Sequence, residues 1–269
     1  MSDSAFRAAK ASQIRIGDET YTIMSDDDYL THIGPVFEPD MCRLFLSLIE
    51  KNHTVFDIGA NIGCTSILFG QVAREVISFE PSPTTFKYLE SNINSSALTN
   101  VKLHNVGLGR ENENLTLTFA PNNRSGGFVS NQTQASAGHN VENISIKNGD
   151  AYIKDTHVDF MKIDVEGFEM HVLQGLTNTI QKSKPIVVAE LNHWCLNAFQ
   201  RTSIPDYFDY LLSIFPILYA VDDGKYADLR DAGERYVVMY HHINHSKYPN
   251  IVGAFEAGQV SRLHSQYSK

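Results

Sequence analysis

The run Val55-Phe56-Asp57-Ile58-Gly59-Ala60-Asn61-Ile62-Gly63 joins a strand-like apolar stretch to a helical one. Glycines at such a junction let the backbone turn tightly and approach a ligand closely. In open α/β sheets, ligands bind beyond the carboxyl ends of the strands. Glu80 closes the next apolar run, where a carboxylate can accept from both hydroxyls of a ribose. The pair of features predicts a nucleoside ligand. Gly59 and Gly63 follow a GxxxG spacing, not the GxGxxG that sets a helix N-terminus against a pyrophosphate. Asp57 would repel a pyrophosphate and attract an ammonium or a sulfonium. S-adenosyl-L-methionine carries both cations, and its ribose suits Glu80.

A second group of acids lies further along. Asp164 follows an apolar run ending at Ile163, so it points toward the same cleft as Gly59. Glu166 follows it closely, while Glu169 suits the first turn of the next helix, where the macrodipole favours an acid. Glu190, Asn192 and His193 come just past the following strand. Methyl transfer from a sulfonium is an in-line displacement that needs alignment, and a poorly nucleophilic acceptor also needs its proton removed. His193 is the preferred base because imidazole titrates near neutrality. Asp164, Glu166 and Glu190 are the other candidates. Asp164 with Glu190 or Asn192 also offers hard oxygen ligands to Mg²⁺. That ligand pattern is only loosely matched, so metal-free chemistry is expected and no residue is assigned to a metal.

The runs VFDIGANIG, ISFEPS and DFMKIDVEGFEMHVLQG resemble the FkbM family of S-adenosylmethionine-dependent methyltransferases, over roughly Glu38 to Asn192. The resemblance implies a Rossmann-like class I methyltransferase fold: an α/β, doubly wound, mostly parallel sheet with an antiparallel last strand. It implies O-methylation of a sugar, glycan or natural-product hydroxyl. It places Asp57, Gly59, Asn61 and the Gly63 turn around the methionine and ribose, with Asp164 in the same cleft. Glu80 then takes the ribose hydroxyls, and Pro81 and Ser82 flank the adenine. Asn105 and Val106 fall where the adenine amine is contacted, although Asn105 stands where Asp is usual. Two other readings stay open: a nucleoside-binding module without catalysis, and a nicotinamide-dependent oxidoreductase.

The elements that must position these residues follow from periodicity. Ile14, Ile16, Tyr21 and Ile23 alternate about Gly17-Asp18, which predicts a hairpin. Pro39 opens a helix with Met41, Leu44, Phe45 and Leu48 on one stripe. Strands are expected at 54–58, 76–79, 101–106, 159–163 and 186–191, separated by helices, and this alternation predicts a parallel sheet covered on both faces. Leu218–Val221 and Tyr236–Tyr240 read as the last strands. The chain thus divides into an N-terminal hairpin and helix (1–50), a methyltransferase domain (51–245) with an insertion at about 110–155, and a polar tail (246–269). In the insertion, Ser125-Gly126-Gly127 reads as a loop, and 122–138 as a region ordered by ligand. His241, His242 and His245 read as solvated, and Tyr207, Tyr210, Tyr219 and Tyr226 as core.

Among 269 residues, 42% are hydrophobic and 20% charged, the balance of a globular chain. The formal net charge of −9 disfavours a phosphate backbone as partner, so a small-molecule or glycan acceptor is expected and nucleic acid is not. Three cysteines, Cys42, Cys64 and Cys195, make neither a disulfide framework nor a CxxC metal knuckle. No apolar stretch is long enough for membrane insertion, and a cytoplasmic setting is expected.

Overall fold

The computed structural model describes residues 9–130 and 138–269. Strands β1 (Lys10–Ile16) and β2 (Glu19–Ser25) form the expected hairpin. Helices α1 (Tyr29–Ile33) and α2 (Pro39–Leu48) follow. Then come β3 (Thr54–Ile58), α3 (Cys64–Val72), β4 (Glu75–Phe79), α4 (Pro83–Ser95) and β5 (Val101–His104). The insertion holds β6 (Gly107–Gly109), β7 (Glu113–Ala120), β8 (Asn123–Val129), β9 (Asn140–Asn148) and α5 (Gly149–Ile153). The second half runs β10 (Phe160–Ile163), α6 (Glu169–Gly175), α7 (Thr177–Ser183), β11 (Ile186–Glu190), α8 (His193–Gln200) and α9 (Ile204–Ile214). It closes with β12 (Ile217–Asp222), β13 (Lys225–Asp228), α10 (Ala232–His245), β14 (Asn250–Ala254) and α11 (Ser261–Gln266).

The main sheet has eight strands in the order β13-β12-β14-β11-β10-β3-β4-β5. The block from β5 to β11 is parallel, and β14 lies antiparallel between β11 and β12. This is the doubly wound, mostly parallel Rossmann-like arrangement with an antiparallel last strand in its body. Successive side chains of the central strands face opposite ways. Phe56, Ile58, Met161 and Ile163 therefore join one core with Leu173, Leu176 and Phe208. Val55, Phe160, Ile186 and Val188 join the other with Phe45, Ile67, Phe69 and Leu89. With both faces covered, strand ends are left as the place where polar groups can meet a ligand.

Two expectations about the C-terminal region change. Tyr236–Tyr240 is not a strand: it lies within α10, where Tyr236 and Tyr240 are exposed and Val238 is buried. The Asp231 side chain accepts from the Glu234 N–H and caps that helix, which outweighs the β-rich composition. In the segment expected as a polar tail, residues 250–254 form β14, inside the sheet. Gly253 lies under the Phe215 ring, where a Cβ would meet ring carbons at 2.6–2.8 Å. The strand needs a glycine there, and that glycine hides the strand from pattern reading.

The insertion folds as a separate sheet of order β6-β9-β7-β8. Leu108, Leu117, Phe119, Ile144 and Ile146 seat it on the main core. Ser125-Gly126-Gly127 lies in β8, not in a loop. Of the region expected to order with ligand, residues 131–137 lie outside the described residues. Arg124 ties β8 to the N-terminal hairpin through a two-pronged pair with Asp26 (2.8 and 2.9 Å), buried on both sides. No helix of the described residues is long and apolar enough to cross a membrane.

Candidate active site

One cavity of about 610 Å³ opens at the carboxyl ends of β3, β4, β10 and β11. Its size suits a drug-sized or nucleoside-sized ligand together with a second small molecule. The turn after β3 forms one wall. Gly59 (φ +82°) and Asn61 (φ +50°) both take left-handed backbone conformations. A Cβ on Gly59 would sit 1.9 Å from the Asp164 carbonyl oxygen, so the turns after β3 and β10 touch through this glycine. Gly59→Ala is expected to cost at least about 1–3 kcal/mol from the backbone conformation alone. A denaturant midpoint unchanged from wild type would refute this packing.

Glu80 braces the same wall. The Asn61 N–H donates to its Oε2 at 3.0 Å and the Ser82 N–H to its Oε1 at 2.9 Å. Each oxygen keeps a lone pair for a further donor. Burial raises its pKa to about 7, against the pull of the two N–H donors and Lys162. Ser82 caps α4 by accepting from the Thr85 N–H, and donates to Glu142 of the insertion at 2.6 Å.

At the inner end, Lys162 is the sole lysine lining the cavity among the described residues. It sits in the buried strand β10 and donates to the Gly59 carbonyl at 2.7 Å. Its Nζ is 3.3 Å from Asp164 Oδ2 and 3.6 Å from Asp57 Oδ1. Burial alone would lower its pKa, but Asp164 and Asp57 outweigh burial and hold it raised. Asp164, Glu166 and Glu190 then gather with one carboxylate oxygen each within 4.8 Å of the others. Glu166 (φ +53°) is turned by Val165-Glu166-Gly167 and accepts from the Cys195 thiol at 3.1 Å. Burial and the neighbouring Asp164 raise Glu166 to about 7, and burial, Asp164 and Glu166 hold Glu190 well above the carboxylate range. Burial and Glu166 also raise the Cys195 thiol, which stays protonated and donates.

Gly59, Asn61, Glu80, Pro81, Ser82, Asp164, Glu166 and Glu190 all line this cavity, whereas Asp57, Gly63, Asn105, Val106 and His193 do not. Asp57 is fully buried behind the turn and accepts from Thr65 and Ser66 hydroxyls at 2.7 and 2.6 Å. Its charge acts through Lys162. Gly63 (φ +99°) caps α3 against Leu89. Asn105 spends its amide on the Glu80 and Pro81 carbonyls, at 2.8 and 3.3 Å. His193 turns its ring edge-on to His242, at 5.1 Å between centroids. His242 is not solvated: its Nε2 accepts from the His193 N–H and its Nδ1 meets the Lys247 carbonyl, so it is a buried neutral brace. Glu169 accepts from the Val165 and Gly167 N–H groups, as an acid at a helix start should. Pattern reading overlooked Lys162, Glu38 and Tyr29, which also line the cavity. A lysine inside an otherwise apolar strand, FMKI, is a signal that could have found Lys162.

The methyltransferase FkbM domain model matches residues 57–236, which span the cavity's strand-end turns. The chain belongs to the FkbM methyltransferase family. It is an enzyme family of S-adenosyl-L-methionine-dependent methyltransferases. Hexuronic acid methyltransferase AglP of Haloferax volcanii is 29% identical over 154 residues, covering 56% of this chain and 61% of that protein. Methyltransferase 1 of Beauveria bassiana is 28% identical over 159 residues, covering 51% of this chain and 64% of that protein. The chain therefore spans somewhat less than two thirds of the curated relatives it matches. Methyltransferase FkbM from Methylobacillus flagellatus KT superposes with a TM-score of 0.44 at 20% identity, covering 62% of this chain and 39% of that one.

Proposed function

We propose that this FkbM-family chain methylates a hydroxyl group of a sugar-type acceptor, a free glycan or a natural product. The observation that carries this is one cavity lined both by Glu80 on the Gly59–Asn61 turn and by Asp164, Glu166 and Glu190. The first set suits the ribose and methionine of S-adenosyl-L-methionine. The second suits a hydroxylated acceptor, because carboxyl groups hydrogen-bond hydroxyls in either protonation state. The hexuronic acid named for the Haloferax volcanii relative supports the sugar class. The net charge of −9 and the acidic lining favour such an acceptor over nucleic acid.

In the step itself, the acceptor oxygen forms a bond to the methyl carbon as the carbon–sulfur bond breaks. The electron pair stays on sulfur, which loses its positive charge, and the hydroxyl proton passes to a carboxylate of the inner cluster. The chain's residues supply alignment and a site shielded from water. The Gly59 turn and Glu80 fix the donor, and the strand-end acids fix the acceptor oxygen.

Calorimetry with S-adenosylhomocysteine and with NAD tests the cofactor, and tritium transfer from labelled S-adenosyl-L-methionine onto sugars tests the acceptor. Glu80→Ala is expected to weaken S-adenosylhomocysteine binding by about 1.5–3 kcal/mol, the scale of a charged hydrogen bond. The ionised Glu80 accepts from the ribose, so binding favours its deprotonated form. Affinity should then rise with pH and level off above about 7. Glu80→Gln should flatten that dependence. Binding of NAD with no binding of S-adenosylhomocysteine would overturn the reading.

A further inference from the structure

We infer that Asn250 reads the acceptor: its side-chain amide holds a second hydroxyl next to the one that is methylated, so the acceptor is a sugar with neighbouring free hydroxyls. The inference rests on the methyl-transfer reading and extends it to residues outside the matched family domain. That match ends at residue 236. The cavity wall beside Glu190 is completed by Pro249, Asn250 and Tyr267, from the segment around β14 and the C-terminal residues.

Sheet register carries the argument. β14 lies antiparallel between β11 and β12, with Asn250 opposite Glu190 on one side and Val221 on the other. Directly opposed residues of antiparallel strands face the same way, with Cβ atoms about 4.5–5.5 Å apart. Asn250 and Glu190 both line the cavity. Asn250 is half-buried, and among the described residues its side-chain amide has no hydrogen-bond partner. Other asparagines near the strand ends spend theirs on the backbone. Asn92 donates to the Ile62 carbonyl, Asn100 to those of Gly70 and Ala73, and Asn105 to that of Glu80. Asn192 caps α8 by accepting from the Cys195 N–H. Asn250 is thus left for a ligand. Its amide offers donors and an acceptor without charge, so it can pair a hydroxyl in both directions. With the reacting hydroxyl at Glu190, Asn250 meets the hydroxyl on the adjoining ring carbon.

The test is tritiated methyl transfer by the full chain onto a panel of methyl hexopyranosides and their monodeoxy derivatives. Wild type should lose about five- to tenfold in kcat/KM when the hydroxyl beside the methylated one is absent, the size of one hydrogen bond. Asn250→Ala should lose as much on the parent sugar and nothing further on the deoxy sugar, because both changes remove one contact. The loss should fall on the acceptor KM, with S-adenosylhomocysteine affinity kept, whereas a general structural defect would move both. Asn250→Val, a strand-forming residue of similar size, covers the case in which alanine weakens β14. Wild type that methylates parent and deoxy sugars alike would overturn the inference and leave sugar methylation standing. So would a folded variant that keeps the wild-type preference. Transfer to none of the sugars would overturn the proposed acceptor class itself, and the inference with it.

Discussion

Lys162→Met should destabilise the fold by about 3–5 kcal/mol, the cost of removing one partner from a buried ion pair. Lys162 is only 4% exposed, between Met161 and Ile163 in a strand with no accessible side chain. Methionine fits the stem, so packing loss is small. What disappears is the ammonium that faces Asp57 at 3.6 Å and Asp164 at 3.3 Å. Asp57 is fully buried and keeps two hydroxyl donors, both on Oδ2, while its Oδ1 has no hydrogen-bond partner. The Gly59 carbonyl also loses its donor. Denaturant unfolding at constant slope measures the effect. Adding Asp57→Asn to Lys162→Met should recover part of the loss, because the uncompensated charge goes with it. A loss below about 1 kcal/mol would mean that these acids are neutralised without the lysine.

The parallel half of the sheet was legible because β3, β4, β10 and β11 are short, mostly apolar runs ended by Gly, Pro or acids. That pattern belongs to strands buried on both faces. Glu80 and Asp164 were legible for the same reason: an acid at the end of such a run has few other uses. The antiparallel end of the sheet was not. In α10 the run Tyr236-Val237-Val238-Met239-Tyr240 is rich in strand-forming types, yet the Asp231 cap starts a helix that leaves most of them exposed. In β14, Gly253 reads as a breaker, although it makes room for Phe215.

The site was legible as an inventory more than as a geometry. Asp57 and Asn105 carry the side chains expected of ligand contacts, but a strand directs Asp57 inward and Asn105 turns to the Glu80 carbonyl. Spacing along a chain does not reveal which side of a turn faces the cleft. Arg124 pairs with Asp26 across 98 positions, and no local pattern marks such a contact. Intrinsic pKa made His193 the preferred base, but the start of α8 turns its ring toward His242 instead.

Glu190→Gln should therefore lower turnover by roughly 10²–10⁴, the range for loss of a proton acceptor, while S-adenosylhomocysteine affinity stays near wild type. Glutamine keeps the shape of the side chain and one carbonyl oxygen, so cavity geometry is conserved. It removes the titratable carboxyl at the end of β11, beside Asp164 and Glu166. That carboxyl, once ionised, is the group that takes the hydroxyl proton, and its raised pKa makes it the stronger base. Glu80 and the Gly59 turn, the proposed cofactor side of the cavity, lie on other strand ends and are untouched. His193→Ala should retain near-full turnover, since the imidazole does not line the cavity. Initial rates of tritiated methyl transfer on both variants, at saturating donor, make the comparison. Turnover within about twofold of wild type for Glu190→Gln, far below the general-base range, would remove the carboxylate cluster from the chemistry. A loss of equal size in His193→Ala would return the proton to the imidazole.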